Sequence, residues 1–302
     1  MLFVIINGFP VRAQDDLMKE LEKETKDDQI VDYESATFKD NRIINGHSVE
    51  TPAGGVLQFI VSHRFGRVNG GIQQFFGLDN ATVHLRLKYS PTDRLTIGGG
   101  RSSFENTYDG FLKYRLLWQS SGKRNMPISL TLFSDMAINT MKWDNTDRDN
   151  KFTSRLYYSY KALIARKFND WLSLQLSPTL VHRNLVATQE DHNDVYAIGT
   201  GGRVKVTGSV TINAEYFYVP DGQIVSRNNG EDVQNALSLG VDIETGGHVF
   251  QLHLTNSRGM VPKIFVTETT GNWLDGDIHF GFNISRVFTL QQDHPHPKKW
   301  GW

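Results

Sequence analysis

Three histidines, His84, His253 and His279, stand in segments of alternating polarity, each on the polar side of the alternation. Brought together by a closed sheet, they would form a cluster suited to metal binding or acid–base work. The plainer expectation is that each is hydrogen-bonded into a polar interior, so that no catalytic, metal or cofactor site arises. Asp144, Asp147 and Asp149 in WDNTDRDN have calcium-loop spacing. The central Gly and closing Glu of such a loop are missing, and a solvated turn is expected. Glu190, Asp191, His192 and Asp194 read as an exposed polar loop, and His294 and His296 as part of a flexible tail. Gly98–Gly100 and Gly199–Gly202 lie within strand-like stretches with no following helix, so they are not phosphate loops. They mark strand bends or thin wall that excludes inward bulk.

A larger chemical signal is one of charge. Arg64, Arg86, Lys88, Lys113, Arg115 and Lys161 share the polar parity, as do Lys167, Arg183, Arg203 and Lys205. Four acids accompany these ten bases: Asp135, Glu215, Asp242 and Glu244. Enclosed by low-dielectric walls, such an excess concentrates anions. It suits a selective path for small anions. It equally suits a filled interior, in which acids pair with bases or an acidic leader docks at a mouth formed by Lys88, Lys167, Arg203 and Lys205.

The elements that would place these residues follow from period. From Gly55 onward apolar residues recur at every second position, as in Ala81, Val83, Leu85, Leu87 and Tyr89, and helical spacing is nowhere sustained. Twelve strands are expected, near 55–66, 80–89, 94–102, 109–119, 127–137, 154–168, 171–183, 194–206, 209–219, 234–244, 248–256 and 276–288. Several have about the ten residues that a tilted strand needs to cross a bilayer. Short connections alternate strictly with long ones, the pattern of periplasmic turns and external loops. On the apolar parity, Tyr89, Trp118, Phe168 and Phe288 fall at the periplasmic ends, and Phe65, Tyr158, Tyr196 and Tyr218 at the external ends. They make two aromatic girdles. A soluble sandwich has no reason to phase its loops or to ring its ends in this way.

The fold class is therefore all-β, a single closed antiparallel transmembrane barrel. Residues 1–13 (MLFVIINGFPVRA) read as a signal peptide and 14–54 as a periplasmic leader able to act as a plug. The barrel spans 55–288, and 289–302 form a periplasmic tail. Within the leader, 14–35 carry nine acidic and three basic side chains and read as a weak helix or a disordered stretch. The absence of cysteine fits an oxidising envelope compartment. A formal net charge of −1 implies no nucleic-acid partner.

Arg42-Ile-Ile-Asn-Gly-His47, Ser62-His-Arg-Phe-Gly66 and Phe75-Phe-Gly-Leu-Asp-Asn-Ala81 occur in that order, followed by Thr92-Asp-Arg-Leu95, Gly100-Arg-Ser-Ser103 and Lys113-Tyr-Arg-Leu-Leu117. This string of motifs resembles a Bacteroidota family of outer-membrane barrels known as domain of unknown function 5777, over most of residues 36–288. The resemblance implies the barrel and a Gram-negative outer membrane, and carries no activity with it. The expected protein is a non-enzymatic, porin-like barrel with a filled lumen, structural or partner-binding. A channel for small anionic solutes is the alternative, and an outer-membrane enzyme a remote third. Expected partners are outer-membrane lipid and a periplasmic protein.

Overall fold

The computed structural model describes residues 31–290 apart from 144, 229 and 247. The signal peptide, most of the acidic leader, Asp144 and the His294–His296 tail lie outside the described residues.

Twelve antiparallel strands close into one barrel. They are β1 (Val56–Arg67), β2 (Ala81–Ser90), β3 (Leu95–Ser102), β4 (Tyr108–Leu117), β5 (Ser129–Ile138) and β6 (Leu156–Lys167), then β7 (Leu172–Arg183), β8 (Asp194–Lys205), β9 (Val210–Tyr218), β10 (Ala236–Thr245), β11 (His248–Thr255) and β12 (His279–Thr289). Each pairs with its sequence neighbour. Closure comes from β12 against β1, running from His279 opposite Arg67 to Thr289 opposite Val56. Within the barrel no strand edge is left open, which pairs the backbone along nearly the whole wall where no water reaches it.

Alternation in the sequence becomes inside and outside. Leu85, Leu87, Leu112, Leu132, Leu174, Ile212 and Leu252 are exposed on the outer wall, while Arg86, Lys88, Lys113, Thr131 and Gln175 are buried inside it. Apolar side chains turned outward in this way suit lipid and polar ones turned inward suit a lumen. Phe168, Tyr196, Tyr218 and Phe288 are exposed at strand ends, and Tyr89, Phe65 and Tyr158 are half-buried there. Trp118 departs from this set. A bulge between Arg115 and Leu117 breaks the alternation, and the indole instead lies against Arg94 (4.2 Å), Arg115 (5.1 Å) and Tyr33 (6.1 Å).

Two segments differ from the sequence reading. Val31–Tyr33 is a short strand, paired antiparallel with Ser120–Gly122 at the short-turn end of the barrel. The long connection after β11 contains α1 (Pro262–Thr267), all six residues of which are buried. Among the described residues no helix is long and apolar enough to cross a membrane.

Candidate functional site

The lumen is occupied from both ends. Residues 40–51 are buried without exception, and they form a tight reversal in which Ser48 N donates to Asn41 O and Ile43 N to Gly46 O. Its tip is fixed by one wall carboxylate. Glu215 on β9 accepts from the backbone N–H groups of Ile44 (3.4 Å), Asn45 (3.1 Å) and Gly46 (2.9 Å), a concave nest of amides around an anion. Gly46 suits that place because a side chain there would run into Glu215 Oε2 at 2.9 Å. Gly201 likewise opens the wall for Ile43, whose Cδ1 would lie 2.3 Å from any Cβ at that position. The glycine runs thus exclude inward bulk, as expected.

A non-repetitive segment cannot pair its own carbonyls, and inside a barrel it must find donors elsewhere. The wall supplies them. Thr131 donates to Val49 O (2.8 Å), Gln175 to His47 O (2.9 Å), Gln251 to Ile43 O (3.2 Å), Lys113 to Glu50 O and Arg203 to Ala36 O. Side chains pair as well. Arg115 meets Glu50 at 3.0 Å, Arg64 donates to Asn45 Oδ1 at 2.7 Å, Lys39 pairs with Glu244, and Gln58 donates to Asp40 at 2.8 Å. His47 is held between Phe111 and Phe133, at 4.8 and 4.3 Å between ring centres. Phe38, Ile43, Ile44 and Val49 form an apolar cluster with Ala165 of β6.

From the opposite end, α1 enters with Phe265 and Val266 against Val181, Ala197, Phe217 and Ala236. Lys263 pairs with Glu105 and Glu268, each at 2.7 Å, and lies over the Tyr157 ring. Burial opposes its charge, but Glu268 and Glu105 outweigh that and raise its pKa above the ordinary lysine value. The two stoppers touch where Arg42 Nη1 reaches Met260 O at 3.4 Å. Between the inner segment at Ile43, Gly46 and His47 and the wall at Lys161, Glu215 and Gln175 remains a void of about 10 Å³, room for one water.

Four of the ten inward bases, Arg64, Lys113, Arg115 and Arg203, thus bond the inner segment. Lys88 and Lys161 are buried with no hydrogen-bond partner at Nζ, though Lys161 sits 4.8 Å from the Phe217 ring and 4.5 Å from Phe265. Lys167 pairs with Glu34 at 3.1 Å, tying the leader to the rim. Lys205 is exposed, because it is the last residue of β8 and projects past the wall. Asp135 accepts from Ser159 (3.0 Å), and Asp242 from Gln251 (3.1 Å). Arg183 donates to His192 O (2.7 Å). Asp109, on the inward parity of β4, was not among the expected acids, although its spacing from Lys113 and Arg115 marks it. It accepts from Arg86 at 2.8 Å and lies 2.6 Å from His84.

The histidines do not converge. His84 is taken by Asp109, His279 lies 2.8 Å from Phe65 O, and His253 is buried with both ring nitrogens unpaired. Among the described residues no cluster of metal-ligating side chains occurs. Asp191 departs from the exposed-loop reading, because it is buried and ties two external loops together. Its carboxylate accepts from Val225 N (2.8 Å), Ser226 N (2.9 Å) and Thr188 Oγ1 (3.0 Å). Burial opposes the charge, but these donors outweigh it and hold the carboxyl well below the usual carboxylate range. A depressed pKa contributes stability above the unfolded value, lost only as pH falls through the folded one. Amide exchange at Val225 and Ser226 is therefore expected to stay slow at about pH 4, where an ordinary carboxylate is half protonated, and to become fast in Asp191→Asn.

No curated protein matches the chain. Among solved structures, the NanC porin is 9% identical over 78% of this chain and 100% of its own, with a TM-score of 0.46. An outer-membrane channel from Pseudomonas putida F1 is 15% identical over 79% and 97%, with a TM-score of 0.45. The Acinetobacter baumannii protein Omp33 is 8% identical over 77% and 97%, with a TM-score of 0.42. The family model described as a membrane-bound beta barrel domain matches residues 38–288, so it takes in the inner segment from Phe38 together with all but the last residue of the wall. An even count of antiparallel strands, an apolar exterior and a polar interior are the features of outer-membrane barrels, and the chain belongs to the membrane-bound beta barrel domain family DUF5777 as an outer-membrane β-barrel.

Proposed function

We propose that this protein is a closed outer-membrane barrel of a Gram-negative bacterium, structural or partner-binding rather than an open pore or an enzyme. The observation that carries this reading is the use made of the basic wall. Its Arg, Lys, Thr and Gln donors meet carbonyl and carboxylate acceptors of residues 36–50, so the excess of donors serves a resident segment. In an anion path those donors would face water. The wall remains basic, and passage of anions is the second reading, requiring both stoppers to move.

The partner-facing element of this proposal is the leader. Among the described residues Val31–Tyr33 is paired along one edge only, and Asp32 and Tyr33 are exposed, which suits strand addition by a periplasmic protein. Planar-bilayer recording of the purified chain tests the closed state. No steady conductance is expected at either polarity. A stable ohmic conductance in the intact chain would transfer the assignment to the anion channel.

A further inference from the structure

We propose that the outer wall carries a lipid site selective for an acyl chain bearing a hydroxyl group near the middle of the bilayer. The starting observation is Pro178, at the centre of β7 in a barrel without edges, a place where proline is ordinarily excluded. In an antiparallel sheet the N–H and C=O of one residue point to the same neighbour. Pairing with β8 runs unbroken through Pro178 opposite Ile198. Pairing with β6 stops at Lys161 opposite Thr179 and resumes at Ile164 opposite Leu176. The missing N–H therefore faces Ala162, whose carbonyl loses its ladder donor at a depth where no water replaces it.

On the lipid side of this gap lies a groove of about 570 Å³. Its lining includes Ala162 and Pro178, leucines such as Leu132, tyrosines such as Tyr160, and Ser134, which carries a hydroxyl. Ser134 and Ala162 are small residues in a belt otherwise rich in leucine, and Pro178 is exposed to lipid. An apolar cleft with a few convergent polar atoms is the ordinary form of a small-molecule site. The groove opens within the belt that already contacts the bilayer, so its occupant arrives as lipid. Ala162 is at the midpoint of β6, hence about 15 Å below the external interface, a depth reached by roughly the twelfth carbon of an extended chain. A hydroxyl there donates to the Ala162 carbonyl and accepts from Ser134.

The test compares 12-hydroxystearate with stearate, titrated into the full-length barrel in detergent and read by native mass spectrometry. Retention of the hydroxylated chain is expected to exceed that of stearate about tenfold, as one hydrogen bond in an apolar medium gives. Pro178→Ala restores the N–H, fills the vacancy on the Ala162 carbonyl and leaves the strand regular. It is expected to fold at least as well and to bind both acids equally. Equal retention by the unaltered barrel overturns the proposal, and so does a preference that survives Pro178→Ala.

Discussion

A barrel lacking both residues 14–54 and the stretch 259–269, the latter replaced by a short Gly–Ser linker, is expected to conduct with a preference for anions. Each single deletion is expected to stay silent. The two stoppers act in series: the inner segment packs on Ala165 and Glu215, whereas α1 packs on Val181, Ala197 and Ala236. Removing the first still leaves Phe265 and Val266 buried across the lumen. Twelve strands lie between the eight whose interior side chains fill and the sixteen that enclose water, so an emptied lumen hydrates. Its wall then presents Lys88, Lys113, Arg115, Lys161 and Arg203 without the inner segment's acceptors, and selectivity should fall with rising salt as these charges are screened. Silence of the doubly deleted barrel, with its strands still formed, would mean that wall side chains alone close the lumen.

Glu215→Ala is expected to release the tip of the inner segment while the wall stays intact. Three backbone donors lose a charged acceptor, each such bond contributing about 1.5–3 kcal/mol, and they remain in a dry interior where unpaired groups are costly. These terms do not add, and a net loss of about 3–5 kcal/mol is the reasonable expectation. The chain has no cysteine, so Ser48→Cys, at a fully buried position two residues from Gly46, reports directly. Its reaction with a small maleimide should accelerate by about two to three orders of magnitude or more in Glu215→Ala, at 1.4 kcal/mol per tenfold. Glu215→Gln keeps a carbonyl acceptor and should raise the rate far less. Equal labelling rates in all three backgrounds would show that the nest does not hold the segment.

Strand placement was legible because a barrel wall has two solvents. Lipid outside and a polar lumen inside enforce a period of two, and observed boundaries such as Leu172–Arg183 and Asp194–Lys205 fall within a residue or two of expectation. Trp118 was misplaced because a bulge leaves no trace in polarity. The inward bases were legible individually, but their partners were not. For Lys113 and Arg203 those partners are the backbone carbonyls of Glu50 and Ala36, and a carbonyl has no sequence signature. Acidic side chains such as Glu215 and Asp242 show in the sequence, whereas acceptors such as Ala36 O and Val49 O do not. α1 did leave a sign. Met260-Val261 and Ile264-Phe265-Val266 make an apolar run too dense for an exposed loop, and the structure buries all of it.

Residence of the inner segment inside the wall is tested most directly by a thiol cross-link. Asn45 Nδ2 lies 2.9 Å from Ser238 Oγ on β10, while the adjacent Leu239 faces lipid. In a chain free of other thiols, Asn45→Cys with Ser238→Cys should be bridged almost completely by dibromobimane in the folded barrel, and Asn45→Cys with Leu239→Cys should not. Absence of the first bridge in a barrel that still resists unfolding in detergent would place residues 40–51 outside the lumen and contradict the closed state.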